Sequence, residues 1–495
     1  MSSFQRIGLL LLTLLAVAGL AGTGLLYSDR QKRIAEIAQL RREVEQLKDQ
    51  VTTAAEVQQE NRRLKNQVED LQQQVTDLQQ QLAESREARS TPEPGLPTPT
   101  PGAEQPTPTP GTAGGSRLSP DQEALLDQIG RQVVEIRGLA ELQPAQRNLM
   151  TREELRAYMQ QDLDKHNTPE DFRNEHETYW LLGMLPSDLD LRQFYLDLLT
   201  EQVAGFYDHE TKSFYIISDK PRLSALDKVT YAHEFDHHLQ DQHFDLGQML
   251  PDDVESDRGM AIRSLVEGDA SLLMEQWLIR HLEFAELQEL LEEQLQLQSP
   301  MLDTAPEIIK QSLLFPYEEG LAFVRLLYNQ GGWQAVDQAL RDPPSSTEQI
   351  LHPEKYTGAQ RDEPKEVALP DLSGALPGWE VADSNTLGEL DLSVMLSEYG
   401  LTRELASQAA AGWGGARYNL YRNAQEIPVL VVVTVWDTEQ DAVEFEQALR
   451  SVLQPNGELL KNEELNIALQ RQGDRVSFAI SPDEGLALRV DKALR

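Results

Sequence analysis

Four histidines fall within eleven positions, at 233, 237, 238 and 243, in a chain that has nine among 495 residues. The stretch reads YAHEFDHHLQDQHFDL and contains His233-Glu234-Phe235-Asp236-His237, an H-E-x-x-H pattern. On a helix, positions i and i+4 project from one face a turn apart, the spacing two imidazoles need to hold one small cation. Glu234 is turned about 100° from His233. Its carboxylate then reaches a water on that cation without being a ligand, which is the place of a general base. A catalytic zinc site requires a third protein ligand. SLVEGDASLLMEQWL offers Glu267, with 29 residues between it and His237, and Asp269 and Glu275 stand as alternatives on the same segment.

The neighbouring groups have plainer readings. His238 points away from His237 and reads as structural. His243 lies about 80° round the helix from His233 and reads as a residue that packs or caps the helix end. Asp241, one turn after His237, is a candidate to hold its ring by a hydrogen bond, or else a solvated helix charge. Asp269 is a second such candidate. His352 in STEQILHPEKY is either structural or a group beside the cleft that assists an oxyanion.

The elements that must position these groups follow from the pattern. A helix is expected over Asp227 to Phe244, and others over Met260 to Leu282 and Tyr317 to Asn329. VAGFYDHETKSFYIIS reads as a hairpin with strands at Val203 to Tyr207 and Ser213 to Ile217. Residues 118 to about 200 read as amphipathic helices, with Ser119 as N-cap and Pro120 in the first helical position. Beyond Pro364 the character changes. ARYNLYRN, IPVLVVVTVWD and RVSFAIS read as strands, and Asp437 to Leu453 and Pro482 to Leu494 as helices. The fold class expected is α+β, with a mainly helical body at 118–360 carrying a small sheet and a separate small α+β domain at 361–495 whose role the sequence leaves open.

H-E-x-x-H followed by a glutamate in VEGDA resembles the gluzincin metallopeptidases. Aminopeptidase N and its relatives carry a comparable E-G-x-A around their third ligand. The resemblance implies zinc on His233, His237 and Glu267, with Glu234 activating the water. LFPYEEGLAFVRLLYNQGGW is similar to the Y-x-x-G that opens a helix in those relatives, and implies that Tyr317, with Gly320, places a phenol donor at the oxyanion. The combination also resembles a group of uncharacterised bacterial zincin-like proteins with HE-x-x-H-x-LQDQ-x-FDL. By the same resemblance, Ser213 to Ser218 would be the edge strand on which an extended substrate is paired. The likeness covers about 118–360. No G-x-M-E-N-like motif for a free amino terminus is present, so exopeptidase activity is not implied, and the His237-to-Glu267 spacing is longer than in those aminopeptidases.

Charge and composition bound the rest. The net charge is −38, and residues 1–89 hold 12 basic and 12 acidic side chains, so the whole acidic excess lies beyond them. Such a body repels nucleic acid phosphates. There is no cysteine, which excludes disulfides, thiolate ligands and a cysteine nucleophile. Ile7 to Tyr27 is uncharged and about long enough to span a bilayer. It reads as a signal anchor in preference to a signal peptide cleaved after Ala16-Val17-Ala18, within a 1–29 segment. Residues 30–88 are expected to form a coiled-coil stalk over Ile34 to Leu82. Ile37, Val44 and Val51 fall at a and Leu40 and Leu47 at d. A stammer-like break at Val57 follows, and Asn61 then stands at a, favouring a parallel dimer. The Pro/Thr-rich 89–117 is an extended spacer. The expectation is a membrane-anchored, extracytoplasmic, homodimeric zinc metallopeptidase acting on peptide or protein substrates. Its rival is a non-catalytic zincin-like surface protein on the same stalk.

Overall fold

Serine or threonine followed three residues later by an acid or a glutamine opens five of the helices. Ser119/Gln122, Thr151/Glu154, Thr168/Asp171, Ser224/Asp227 and Thr438/Asp441 all form reciprocal capping boxes, each satisfying two helix-end N–H groups. The structure is a computed structural model, and it describes residues 118–144, 146–218, 222–296, 299–456, 459–462 and 464–494. The expected membrane segment, coiled coil and Pro/Thr spacer lie outside these residues. Among the described residues no helix is long and apolar enough to cross a membrane.

The order begins α1 (Pro120–Arg137), β1 (Gln146–Met150), α2 (Arg152–His166), α3 (Pro169–Leu181), α4 (Leu191–Gln202), β2 (Gly205–Asp208), β3 (Ser213–Ile217) and α5 (Ala225–Phe244). It continues α6 (Leu246–Met249), α7 (Ser256–His281), α8 (Phe284–Gln296), α9 (Pro300–Asp303), α10 (Glu307–Gly331), α11 (Trp333–Arg341), α12 (Thr347–Leu351) and α13 (Pro353–Thr357). The C-terminal part holds β4 (Glu380–Asn385), α14 (Glu389–Glu398), α15 (Arg403–Ala410), β5 (Trp413–Arg422), β6 (Pro428–Trp436) and α16 (Glu439–Val452). β7 (Gln454–Asn456), β8 (Leu459–Asn462), β9 (Leu465–Gln472), β10 (Arg475–Ser481) and α17 (Glu484–Leu494) complete it. The architecture is α+β.

Two sheets are present among the described residues. The small one has the order β1-β3-β2, with β1 parallel and β2 antiparallel to β3. This corrects the expectation for Ser213 to Ser218. Both sides of β3 are already paired, so it is the central strand, and β2 is the edge nearer α5. The missing signal was β1, a strand in a stretch that reads as helical. The larger sheet has the order β4-β5-β6-β10-β9-β8-β7 with antiparallel neighbours. β6, PVLVVVTVW, is buried along its whole length. Val429 and Val431 enter a cluster with Leu486 and Val490, while Leu430 and Val432 join the main core with Phe445. A strand covered on both faces reads as a continuous apolar run rather than an alternation.

That main core is continuous from Leu126 and Phe235 through Leu265 and Phe323 to Trp413, Trp436 and Phe478. The helical body and the C-terminal part therefore share apolar packing and fall in one body.

Candidate metal centre

Three helices build the site. α5 carries His233, Glu234 and His237, α7 carries Glu267, and α10 carries Tyr317. α7 and α10 cross at two glycines. A Cβ on Gly268 would lie 2.3 Å from the Gly320 carbonyl oxygen, and one on Gly320 would lie 2.2 Å from that of Ser264. Only glycine permits backbones this close. These are the glycines of VEGDA and YEEG, and they stand one residue after Glu267 and three after Tyr317, so the crossing places both side chains over α5. Tyr317 is not at a helix start, as expected, but in the interior of α10 immediately after Pro316.

The donor atoms converge. His233 Nε2 lies 3.1 Å from Glu267 Oε2 and 3.1 Å from His237 Nε2, and His237 Nε2 lies 3.3 Å from Glu267 Oε2. Zinc bonded at ~2.0–2.1 Å to nitrogen and oxygen in a tetrahedron sets its ligands roughly 3.3 Å apart. The three edges match that figure, and two imidazoles and a carboxylate are a donor set zinc accepts. The residues present therefore fit a zinc ion. All three are buried, with His233 fully enclosed. Burial alone would lower the His237 pKa, but the Glu267 carboxylate against it, with Glu234 and Gln240, drives it up to about 10. Burial would raise Glu267, yet His237 and His233 hold it down to about 2.

The tautomer of His237 is fixed from behind. Gln240 Nε2 donates to Val266 O at 3.0 Å and to Asp269 Oδ2 at 2.9 Å. Both partners only accept, so the amide orientation is set and Gln240 Oε1 faces His237 Nδ1 at 2.8 Å. Nδ1 must carry the proton there, and Nε2 is left to turn its lone pair toward His233 and Glu267. Asp269 is in turn gripped by the buried Arg137 at 3.0 and 3.1 Å, and Arg137 reaches Asp337 at 2.7 Å. Burial would lower the Arg137 pKa, but these carboxylates and Asp236 hold it raised. Asp269 is thus a support behind Gln240 rather than a ligand.

Asp241 does not hold His237. It accepts from Tyr207 Oη at 2.9 Å and Lys212 Nζ at 2.6 Å, because the ring it was expected to reach is already taken by Gln240, nearer on the helix. Glu275 pairs with Arg325. His238 packs among Tyr207, Phe214 and Phe235 and bonds the Gln143 carbonyl at 3.0 Å. His243 bonds the Ala140 carbonyl at 2.8 Å. His352 pairs with Glu389 at 2.9 Å, at the junction with the C-terminal part, and not with the residues of the centre.

Glu234 Oε2 accepts the Tyr207 backbone N–H at 2.9 Å, so β2 holds the carboxylate beside the histidines. The Tyr317 ring centroid is 6.2 Å from that of His233, at 30°. Its phenol is pushed well up by burial and by Glu267 and Glu234, which keeps it a proton donor. Arg263, one turn before Glu267 on α7, is buried and feels Glu267 and Tyr317. Burial lowers its pKa to about 10. The sequence reading missed Gln240, Arg137 and Arg263. Arg137 had a signal, since it lies on the apolar stripe of α1 with Ile129, Val133 and Ile136.

A second group of three acids, Glu348, Asp362 and Asp437, also lies close enough for a cation. Lys355 Nζ fills it, 2.6 Å from Glu348 and 2.9 Å from Asp362. Among the described residues His233, His237 and Glu267 are thus the one such cluster without a cationic side chain at its centre.

Residues 378–491 match a family model described as a domain of unknown function, DUF8575. The match covers the C-terminal sheet and none of the residues of the centre. No curated protein and no solved structure matches the chain.

Proposed function

We propose that the chain is a zinc-dependent peptidase. The observation that carries this reading is the convergence of His233, His237 and Glu267 at 3.1–3.3 Å, with Glu234 and Tyr317 beside them. Zinc, when bound, supplies Lewis acidity, polarising a peptide carbonyl and acidifying a water. His233, His237 and Glu267 would hold it. The Glu234 carboxylate would take one proton from the attacking water and pass it to the departing amine, while the Tyr207 N–H on Oε2 keeps the carboxylate aimed. Tyr317 Oη donates to the developing oxyanion. With the N-terminal anchor, parallel coiled coil and spacer expected at 1–117, the enzyme is a membrane-tethered, extracytoplasmic homodimer acting on peptides or proteins.

One observation favours a second reading. All five groups are buried, the most exposed being Tyr317 at 6%, whereas a peptidase must admit a chain. A non-catalytic zincin-like protein with a structural zinc has no such need. A structural site in turn has no use for a carboxylate at Glu234.

The test uses the purified full-length protein, zinc-loaded, against an unbiased peptide mixture, with Glu234→Gln alongside. We expect one zinc per chain in both, cleavage by the parent, and at least ~100-fold slower cleavage by the variant. One zinc in both with no cleavage by either transfers the conclusion to the second reading.

A further inference from the structure

Glu234 and Asp241 stand seven residues apart on α5, so they share one face of the helix and lie about 10 Å apart along its axis. One residue of β2 touches both. Tyr207 gives its backbone N–H to Glu234 Oε2 at 2.9 Å and its phenol O–H to Asp241 Oδ2 at 2.9 Å.

The pairing of the hairpin selects this residue. The Ile217 N–H donates to the Ala204 carbonyl at 3.1 Å, and the register sets Tyr207 opposite Phe214. Opposed residues in an antiparallel ladder alternate between bonded and non-bonded pairs. Tyr207 therefore falls in a non-bonded pair and turns its N–H away from β3, toward α5. Its side chain leaves the sheet on the same side, with the ring centroid 5.2 Å from those of Phe214 and His238. Phe206 points to the opposite face and packs with Tyr158 and Tyr215. A slip of one residue would lose both contacts with α5.

The far end of Tyr207 is gripped in turn. Asp241 is buried and also accepts Lys212 Nζ at 2.6 Å. Lys212 belongs to the turn of the same hairpin and has a φ of 53°, a left-handed conformation that is costly for any residue but glycine. Asp208 braces this turn, accepting the Glu210 and Thr211 N–H groups at 2.8 and 3.2 Å. Burial and Asp241 push the Tyr207 phenol up, so it stays a proton donor. The hairpin is thus fastened to α5 by a backbone N–H, a phenol and an ammonium.

We propose that Tyr207, gripped through its phenol by Asp241 and Lys212, is a positioning residue that aims the Glu234 carboxylate. Its part in catalysis rests on the peptidase reading, but the grip itself does not. Tyr207→Phe isolates the effect, because it keeps the ring and the N–H and deletes only the oxygen that reaches Asp241.

Hydrogen exchange resolved to single amides, on the zinc-loaded full-length protein, reads the residue 207 N–H without reference to cleavage. Glu234→Ala, which removes the acceptor, sets the rate of the released amide. In Tyr207→Phe this amide should exchange at least about tenfold faster than in the parent, with zinc stoichiometry and the later turns of α5 unchanged. On a peptide the parent cleaves, kcat should fall about tenfold at constant KM. Asp241→Asn keeps an oxygen for the phenol and should stay within about threefold of the parent, whereas Asp241→Leu should match Tyr207→Phe. Should Tyr207→Phe melt early, Lys212→Met, altered only at the exposed end of the grip, must speed the same amide by roughly threefold. Exchange at the parent's rate in the folded variants overturns the proposal, and so does faster exchange with kcat unchanged. Absence of cleavage by the parent removes the peptidase reading instead, and the exchange rate alone then decides whether the grip holds Tyr207 on Glu234.

Discussion

Gln240 shows how much of a metal site lies behind its ligands. Its amide nitrogen faces acceptors only, so its oxygen must receive the His237 Nδ1 proton. One uncharged side chain thereby fixes both the tautomer and the ring plane. Replacing it with leucine strands the His237 Nδ1–H, while Asp269 keeps both its bonds to Arg137. We expect Gln240→Leu to weaken zinc binding about 10–100-fold, measured by competition against a chromogenic chelator. Affinity equal to the parent's would mean that the ring is held by packing alone. The H-E-x-x-H spacing made the ligands readable in the chain, but nothing in the type of residue 240 marks it. A glutamine three residues after a histidine becomes a support only when α7 brings Val266 and Asp269 alongside.

At the scale of elements, the position of Glu267 depends on how closely α7 and α10 approach. α7 is buried on all sides from Ser256 to Met274, apart from Arg258, so no amphipathic stripe announces which face meets which partner. The contact is set by Gly268 and Gly320, each against a backbone carbonyl. A methyl at either position must push the helices apart. Gly320→Ala is expected to cost about 1–3 kcal/mol of stability and to lower zinc affinity, because Glu267 moves with α7. Gly374, with no atom within 4 Å and an ordinary φ, is the control, and alanine there should change neither. Denaturant melts with and without zinc check both. The hairpin gives the opposite case. Its strands were readable from alternation, but their place in the sheet was not, because β1 pairs with β3 from far upstream. β2 became the edge that holds Glu234.

At the scale of the molecule, the helical body and the C-terminal sheet meet through buried acids. Asp257, at the start of α7, accepts the Thr347 N–H at 3.1 Å. A Cβ on Gly388 would lie 1.8 Å from its Oδ1, so glycine is required there. Burial, opposed by the Thr347 bonds, pushes Asp257 up to about 7, and burial pushes Asp391 up to about 6. A carboxyl whose pKa is raised in the fold stabilises it in the protonated form. For Asp257 that contribution is complete below the ordinary value of 3.8 and is lost as pH rises through about 7. The melting temperature should therefore fall between pH 5 and pH 8. In Asp257→Asn, which stays neutral, the fall should be smaller by roughly 2–4 °C. Parallel slopes in the two proteins would show that Asp257 does not titrate in this window.

The chain by itself determined the local chemistry. The capping boxes set where helices begin, the i, i+4 spacing set two imidazoles on one face of α5, and the apolar run of β6 announced a strand covered on both sides. Each of these is a property of neighbours in sequence, fixed by backbone geometry over one or two turns. Only the tertiary structure decided which acid joins the histidines, that Gln240 and Arg137 stand behind them, and that β2 rather than β3 is the edge. Those relations join residues that are dozens to hundreds of positions apart. They depend on how closely two backbones approach and which carbonyls are left facing inward, and no periodicity within one element records either.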